Sequence, residues 1–288
     1  MKLGALAVAS SLLLGGCAAV PTAPPGTITV VVGLYPYAYL AEQIGGDRVS
    51  VTNLTQPGAE PHDLELTARQ IAAVATADLT IYQAGLQPAV EAAVAENAAP
   101  SLEATTVVPL ATHDNQVDPH IWLDPVNMVT LADAVAARLT ALDPAGAATY
   151  ATGLAAVTTT LTSLDDRYAS TLTACERTVF LTTHDAFWYL AGRYGLTQIA
   201  IAGISPDAEP SPLRIAEIHE TAQTHHLTTV FFETLAAPEL ADTIAGDLGL
   251  ATDVLDPLEG LTAQSRGDDY AQVMTSNLTA LAQANGCS

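Results

Sequence analysis

Two blocks of short β-branched runs alternating with helix-forming stretches flank one long segment without interior proline, and this pattern constrains the fold more than any other feature. In the first block, Thr27, Ile28, Thr29, Val30, Val31 and Val32 form a β-branched run that stops at Gly33. A helix is expected over 36–44, halted by Gly45 and Gly46. Strands follow over 49–54, 79–82 and 106–110, and helices over 67–75 and 88–96. A helix over 125–141 closes the block, with Asp124 as N-cap and Pro125 at the first helical position. The second block repeats the plan, with strands over 179–183, 198–202, 229–233 and 253–255 and helices over 186–194, 212–226, 238–248 and 268–284. Strand–helix alternation of this kind makes mostly parallel sheets with helices on both faces.

Between the blocks lies 144–173, where Tyr150, Leu154, Val157, Leu161, Leu164 and Tyr168 recur at three- and four-residue steps and Gly153 is a weak breaker. One helix of roughly thirty residues, about 45 Å long, is expected there. The fold class is therefore α/β: two (β/α)4 lobes joined by one long rigid helix. The N-terminal lobe spans 27–143, the connecting helix 144–174 and the C-terminal lobe 175–288. The length suffices for two compact lobes with separate cores.

The N-terminus sets the compartment. Met1 and Lys2 precede an apolar run from Leu3 to Leu14, too short to span a bilayer, which ends in Leu14-Gly15-Gly16-Cys17. This resembles a bacterial lipobox, so 1–17 is expected to be a lipoprotein signal peptide with Cys17 lipidated; an ordinary secretory signal with a chance cysteine is the alternative. The Pro-, Ala- and Thr-rich stretch 18–26 reads as a flexible tether. The protein is then extracytoplasmic and held to the cell membrane by its lipid. Cys175 and Cys287 remain, and two cysteines in an oxidising compartment ordinarily pair. That disulfide would close a loop worth at most about 4–5 kcal/mol by the loop-entropy model. A pair of thiolate metal ligands is the alternative.

Nine Lys and Arg face 31 Asp and Glu, for a net charge of −22, and Lys2, the only lysine, leaves with the signal peptide. Such a surface repels nucleic acid, which excludes that class of partner. It attracts cations, although solubility alone accounts for much acidity.

In open α/β sheets ligands bind at the carboxyl ends of strands. His62 lies in the loop after the second strand, His120 after the fourth, and His184 directly after the first strand of the second block; Asp256 ends the last strand. Imidazole and carboxylate donors suit a borderline cation, and three His with one carboxylate fill a tetrahedral zinc shell. Each His taken singly reads as a loop or capping residue before it reads as a ligand; their joint placement is what points to a metal between the lobes. His113, Asp114 and Asp118 form a polar stretch that is either an accessory metal trap or a solvated loop. His219, His225 and His226 lie in or just after the 212–226 helix, away from strand ends, and read as surface or helix-terminus residues.

Pro57-Gly58 through His62-Asp63, Asp118-Pro119-His120-Ile121-Trp122-Leu123-Asp124-Pro125, Thr183-His184-Asp185-Ala186-Phe187, Gly203-Ile204-Ser205-Pro206 with Glu209-Pro210-Ser211, Phe231-Phe232-Glu233 and Leu255-Asp256-Pro257-Leu258 follow one another along the chain. Together they resemble the ordered blocks of the cluster A-I (ZnuA/TroA-type) zinc- and manganese-binding proteins of ABC importers, from about residue 28 to the C-terminus. The resemblance implies two lobes bridged by a rigid helix, His62 and His120 as ligands, and His184 as third ligand in the manner of zinc-type rather than manganese-type members. Asp256 takes the fourth place where water does not. It implies Zn2+ as cargo, with Mn2+ or iron as the alternative, and an ABC permease with its ATPase as partners of a monomeric protein. Cys175 and a late cysteine resemble a disulfide of a zinc-type branch. Two departures stand out: no long His-rich insertion separates the first two ligands, and Gly85-Leu86-Gln87-Pro88 lacks the usual aromatic and acidic residues.

Capture and delivery needs no turnover. Carboxylates that would orient the imidazoles are Asp63, Asp124, Asp185 and Glu233. A secreted zinc hydrolase is disfavoured because no His-Glu-x-x-His helix and no Gly-x-Ser-x-Gly elbow occurs. A surface adhesin is the remaining alternative, with no recognisable ligand patch to support it.

Overall fold

A computed structural model describes residues 26–113, 116–204, 210–235 and 238–288. Cys17 with its leader, all but the last residue of the tether, and Asp114 lie outside the described residues. The first sheet is built from β1 (Ile28–Val32), β2 (Val49–Asn53), β3 (Leu79–Tyr82) and β4 (Ser101–Glu103), all parallel, in the order β2-β1-β3-β4. A short antiparallel pair follows, β5 (Thr112–His113) and β6 (Gln116–Val117). The second sheet holds β7 (Val179–Thr182), β8 (Thr197–Ala200), β9 (Thr229–Phe232) and β10 (Ala251–Val254) in the order β8-β7-β9-β10, again all parallel. The two sheets thus share one topology, strand for strand.

Helices α1 (Tyr35–Gly45), α2 (Ala68–Thr76), α3 (Pro88–Asn97) and α4 (Pro125–Leu142) belong to the first half. α5 (Ala147–Thr171) links it to α6 (Trp188–Tyr194), α7 (Pro212–Thr224), α8 (Glu239–Leu248) and α9 (Tyr270–Asn285). Local chemistry explains several starts. Thr67 and Gln70 form a reciprocal capping box on α2, and Asp124 accepts from Val126 N ahead of Pro125 on α4.

Two of the expected elements are corrected first. The strand expected over 106–110 is instead β4 at Ser101–Glu103. Glu103 accepts hydrogen bonds from Thr105 N and Thr105 Oγ1 and turns the chain into a 3-10 turn, so Val108 reaches the core from a loop. The long helix is also shorter than expected. Pro144–Gly146 is a separate 3-10 turn, and α5 proper has 25 residues.

α5 packs against α1, α4 and α9, with Tyr150, Val157, Leu161, Leu164 and Tyr168 buried. Gly153 is not a breaker but a contact: a Cβ there would sit 2.6 Å from Ile44 O, so the glycine lets α1 and α5 touch backbone to backbone. In place of separate cores, one continuous core runs through both halves. It takes in Val30 and Ile81 of the first sheet, Trp122, Leu161 and Tyr168 between, and Phe180 and Tyr270 of the second half. Strand alternation sends the other faces outward to two smaller clusters, Val31 with Val74 and Val90 under α2 and α3, and Leu181 with Ile218 and Ile244 under α7 and α8. Cys175 and Cys287 are joined by a disulfide that pins the end of α9 to the start of the second half. Among the described residues no helix is long and apolar enough to cross a membrane.

Candidate metal centre

The carboxyl ends of the two sheets face one another, and three histidines meet there. His62 comes from the loop after β2, His120 from the segment after β6, and His184 from the residue but one after β7. Their ring centroids lie 5.5 Å (His62–His120), 5.7 Å (His62–His184) and 5.0 Å (His120–His184) apart. The fourth member is Glu259, and one donor atom from each of the four lies within 4.8 Å of the others. His120, His184 and Glu259 are buried, while the His62 side chain keeps 12% exposure and stands at the opening.

Glu259 takes the place expected for Asp256. Asp256 is buried at the end of β10, but its oxygens are occupied by the turn: Oδ1 accepts from Leu258 N at 2.8 Å, and Oδ2 from Thr234 Oγ1 and Ser265 Oγ at 3.0 Å. Asn277 of α9 clamps its backbone on both sides. Leu258 then adopts a left-handed φ of 60°, and the chain delivers Glu259 into the cluster. The available signal was Asp-Pro-x-Glu, in which an Asx-type turn consumes the first carboxylate and leaves the second free.

Of the four carboxylates expected to orient imidazoles, Glu233 reaches one: its Oε2 lies 3.2 Å from His184 Nδ1. Asp124 instead caps α4 and pairs with Arg193 at 3.3 Å, and Asp63 is exposed. Asp185 donates its backbone N–H to Gly203 O and lines a small cleft with Asp118 and Ile204. The orienting partner that sequence reasoning missed is Asp118. Read as a loop acid, it is buried, and its Oδ1 lies 2.7 Å from His120 Nδ1 and accepts from His120 N at 2.9 Å.

These contacts leave His120 Nε2 directed at Glu259 Oε1, 3.0 Å away, with His62 Nε2 at 3.1 Å from the same oxygen. Burial pulls the His120 imidazole down, but hydrogen bonds to Asp118 and Glu259 outweigh it and raise the group to about 10. Burial likewise opposes charge on Glu259, yet the histidines hold its carboxyl far below the usual range. His184 is lowered by burial and raised on balance by Glu233. Among the described residues, Glu259 Oε2, Glu233 Oε1 and Asp118 Oδ2 are buried without a hydrogen-bond partner. Within the cluster, the unpartnered oxygen of Glu259, whose carboxyl is held ionised by the histidines, is suited to a cation. Three imidazoles and one carboxylate, with carboxylates behind two of the rings, match the donor set of a closed zinc site.

The halves are tied together around the cluster. Trp122 donates from Nε1 to Pro257 O at 2.7 Å and accepts on its carbonyl from Tyr270 OH at 2.6 Å. Tyr189 OH donates to Asp118 O at 3.2 Å, and Gln83 Nε2 holds Pro119 O at 2.6 Å. The His120 segment is therefore gripped by both lobes.

Two similar lobes carry at their facing strand ends a three-histidine, one-glutamate cluster that could hold a metal ion. The chain belongs to the ZnuA family: the family described as zinc-uptake complex component A, periplasmic, matches residues 30–284. It is 33% identical over 273 residues to the high-affinity zinc uptake system protein ZnuA of Bacillus subtilis, covering 88% of this chain and 86% of that one. It is 34% identical to the zinc-binding lipoprotein AdcA of Streptococcus pneumoniae, covering 90% of this chain but 56% of AdcA, so the chain spans about half the length of such relatives. The crystal structure of the Zn(II)-bound ZnuA-like domain of that AdcA superposes with a TM-score of 0.80 at 36% identity, covering 90% of this chain and 99% of the domain. The laminin-binding protein Lmb of Streptococcus agalactiae, described as bifunctional with adhesin and metal-transporting activity, gives a TM-score of 0.82 at 30% identity, over 89% of this chain and 99% of Lmb.

Proposed function

We propose that this protein captures a zinc ion outside the cytoplasm and hands it to an ABC permease and its ATPase. His62, His120, His184 and Glu259 bind the ion, and Asp118 and Glu233 hold His120 and His184 in place. The observation that carries the reading is the convergence of four donors in a nearly dry cleft, with an unpartnered Glu259 oxygen among them. Zinc is favoured over manganese because three imidazoles suit a borderline ion better than a harder one. Capture requires binding and release and no turnover, so the protein is read as a carrier and not an enzyme. The lobes at 27–143 and 175–288, bridged by 144–174, act as one body because they share a core, and binding proceeds with little relative motion. Lipidation of Cys17 would keep a monomeric receptor at the membrane surface.

The test is native mass spectrometry of the metal-stripped protein titrated with zinc in the presence of excess manganese, beside a His120→Ala variant. One tightly held zinc, retained against manganese and lost in the variant, is expected. Preference for manganese, or tight zinc binding untouched by the variant, would overturn the assignment.

A further inference from the structure

The hairpin that leads into His120 is interrupted by a side chain from the other lobe. β5 and β6 pair Thr112 with Val117 and His113 with Gln116, and the next pair away from the turn is Ala111 with Asp118. In a regular antiparallel ladder such a hydrogen-bonded pair exchanges two N–H···O bonds. One of the two is present here: Asp118 N donates to Ala111 O at 3.1 Å. The other is relayed through a phenol. Ala111 N donates to Tyr189 OH at 2.7 Å, and Tyr189 OH donates to Asp118 O at 3.2 Å. The hydroxyl of a residue in α6 thus stands where the direct bond from Ala111 N to Asp118 O would run, and it holds the hairpin neck open on that side.

The neck matters because of what Asp118 does next. Its Oδ1 lies 2.7 Å from His120 Nδ1, so the position of its main chain decides where the carboxylate behind that imidazole sits. α6 also grips the far end of the same segment. Arg193 follows Tyr189 by one helical turn, on the same face, and pairs with Asp124 at 3.3 Å. The helix itself begins four residues after His184. One short helix therefore runs from the third histidine of the cluster to both ends of the segment that carries the second.

We propose that Tyr189 is a positioning residue for metal retention: its hydroxyl, wedged in the hairpin neck, fixes the Asp118 main chain and through the Asp118 carboxylate holds His120 in its ligating orientation before an ion arrives. The inference rests on the reading of the interlobe cluster as a zinc site. The hydroxyl bonds main-chain groups and none of the four donors, so it acts through Asp118. Without it, Ala111 N and Asp118 O can bond directly, as in an uninterrupted ladder. The neck then narrows, Asp118 shifts, and the cost of reordering His120 falls on metal binding.

The test is zinc release from the loaded full chain to a chelator, followed by stopped flow, in wild type, Tyr189→Phe, Asp118→Asn and the double variant. Tyr189→Phe is expected to release zinc roughly two- to tenfold faster, the range of one neutral hydrogen bond. In the Asp118→Asn background the same substitution should add less than about twofold, because the route to His120 is already cut. The Tm of metal-free Tyr189→Phe should stay within roughly 2 °C of wild type, since a direct backbone bond replaces the relayed one. Tyr150→Phe removes a tyrosine hydroxyl from Asp143, beyond the far end of α4, and should leave release unchanged. Unchanged release in Tyr189→Phe, or an acceleration that is equally large in the Asp118→Asn background or in Tyr150→Phe, would overturn the proposal and leave the zinc site standing. A wild-type chain that takes no zinc, or holds it as tightly in His120→Ala, would overturn the zinc reading and this inference with it.

Discussion

The two lobes share a strand order and use it differently. In the first, the crevice between β1 and β3 is filled by protein: Thr55 Oγ1 and Gln87 Nε2 both donate to Gly33 O, at 2.7 and 3.1 Å, and Tyr37 OH donates to Gln83. Its members of the histidine cluster, His62 and His120, come from beyond the outer strands, after β2 and after the β5–β6 pair. In the second lobe the central strands β7 and β9 themselves deliver His184 and Glu233, and the edge strand β10 leads to Glu259. The strand-end rule therefore selects the face of the sheet but not the strand. A lobe with a plugged crevice must reach with long loops, which then need anchoring from the partner lobe, as Pro257, through its carbonyl on Trp122, and Tyr189 provide.

The strongest way to break this comparison is at the two acids after β10. Structural zinc is worth roughly 10–16 kcal/mol over about four ligands, so Glu259→Gln should cost on the order of 3 kcal/mol, about a hundredfold in Kd for zinc. Asp256→Asn should act mainly on Tm, since its carboxylate serves the turn. A larger loss of zinc affinity in Asp256→Asn than in Glu259→Gln would restore Asp256 as the ligand.

A finer comparison sets Asp118→Asn, in the first lobe, beside Glu233→Gln, in the second. Each removes the charge behind one imidazole, and each is expected to weaken zinc binding ten- to a hundredfold by competition titration while leaving one bound zinc per chain. An effect in one variant alone would show that the lobes differ in orienting their histidines as well as in reaching with them.

Trp122→Phe deletes the donor to Pro257 O and strands a buried carbonyl, at a cost of about 1–3 kcal/mol in chemical denaturation. If the anchoring reading is right, zinc affinity falls too, although Trp122 is not a ligand. Unchanged affinity would mean that the first lobe holds His120 unaided.

The smallest expected effect lies on the connecting helix. Arg193 of α6 hydrogen-bonds Asp165 of α5 through both oxygens at 2.6 Å, and this holds the Asp165 carboxyl below its ordinary value. A depressed folded-state pKa gives stability that is present above the unfolded value and is lost as pH falls through the folded one. The pair is partly solvated, so Asp165→Asn should cost only roughly 0.2–1 kcal/mol near pH 7. Thermal melts of variant and wild type should converge in acid below the normal aspartate range. A difference that persists there would assign the effect to packing.

Much of this protein was settled along the chain. Elements such as β3 at Leu79–Tyr82 and α4 after Asp124-Pro125 follow from periodicity and capping, which act over a few residues. The three histidines could be picked out because strand ends in an open sheet are marked locally. Which of the two acids joins the histidine cluster was decided mainly by tertiary structure. Asp256 and Glu259 are three residues apart and chemically alike, and the local turn that takes up Asp256 is completed by Thr234, Ser265 and Asn277, which present their groups only once the lobe has folded. The same holds for Asp118, whose role requires a buried His120, and for the shared core, which exists because α5 packs on α1, α4 and α9 together. Hydrogen-bond direction and burial are properties of assembled neighbours, and no window of sequence contains them.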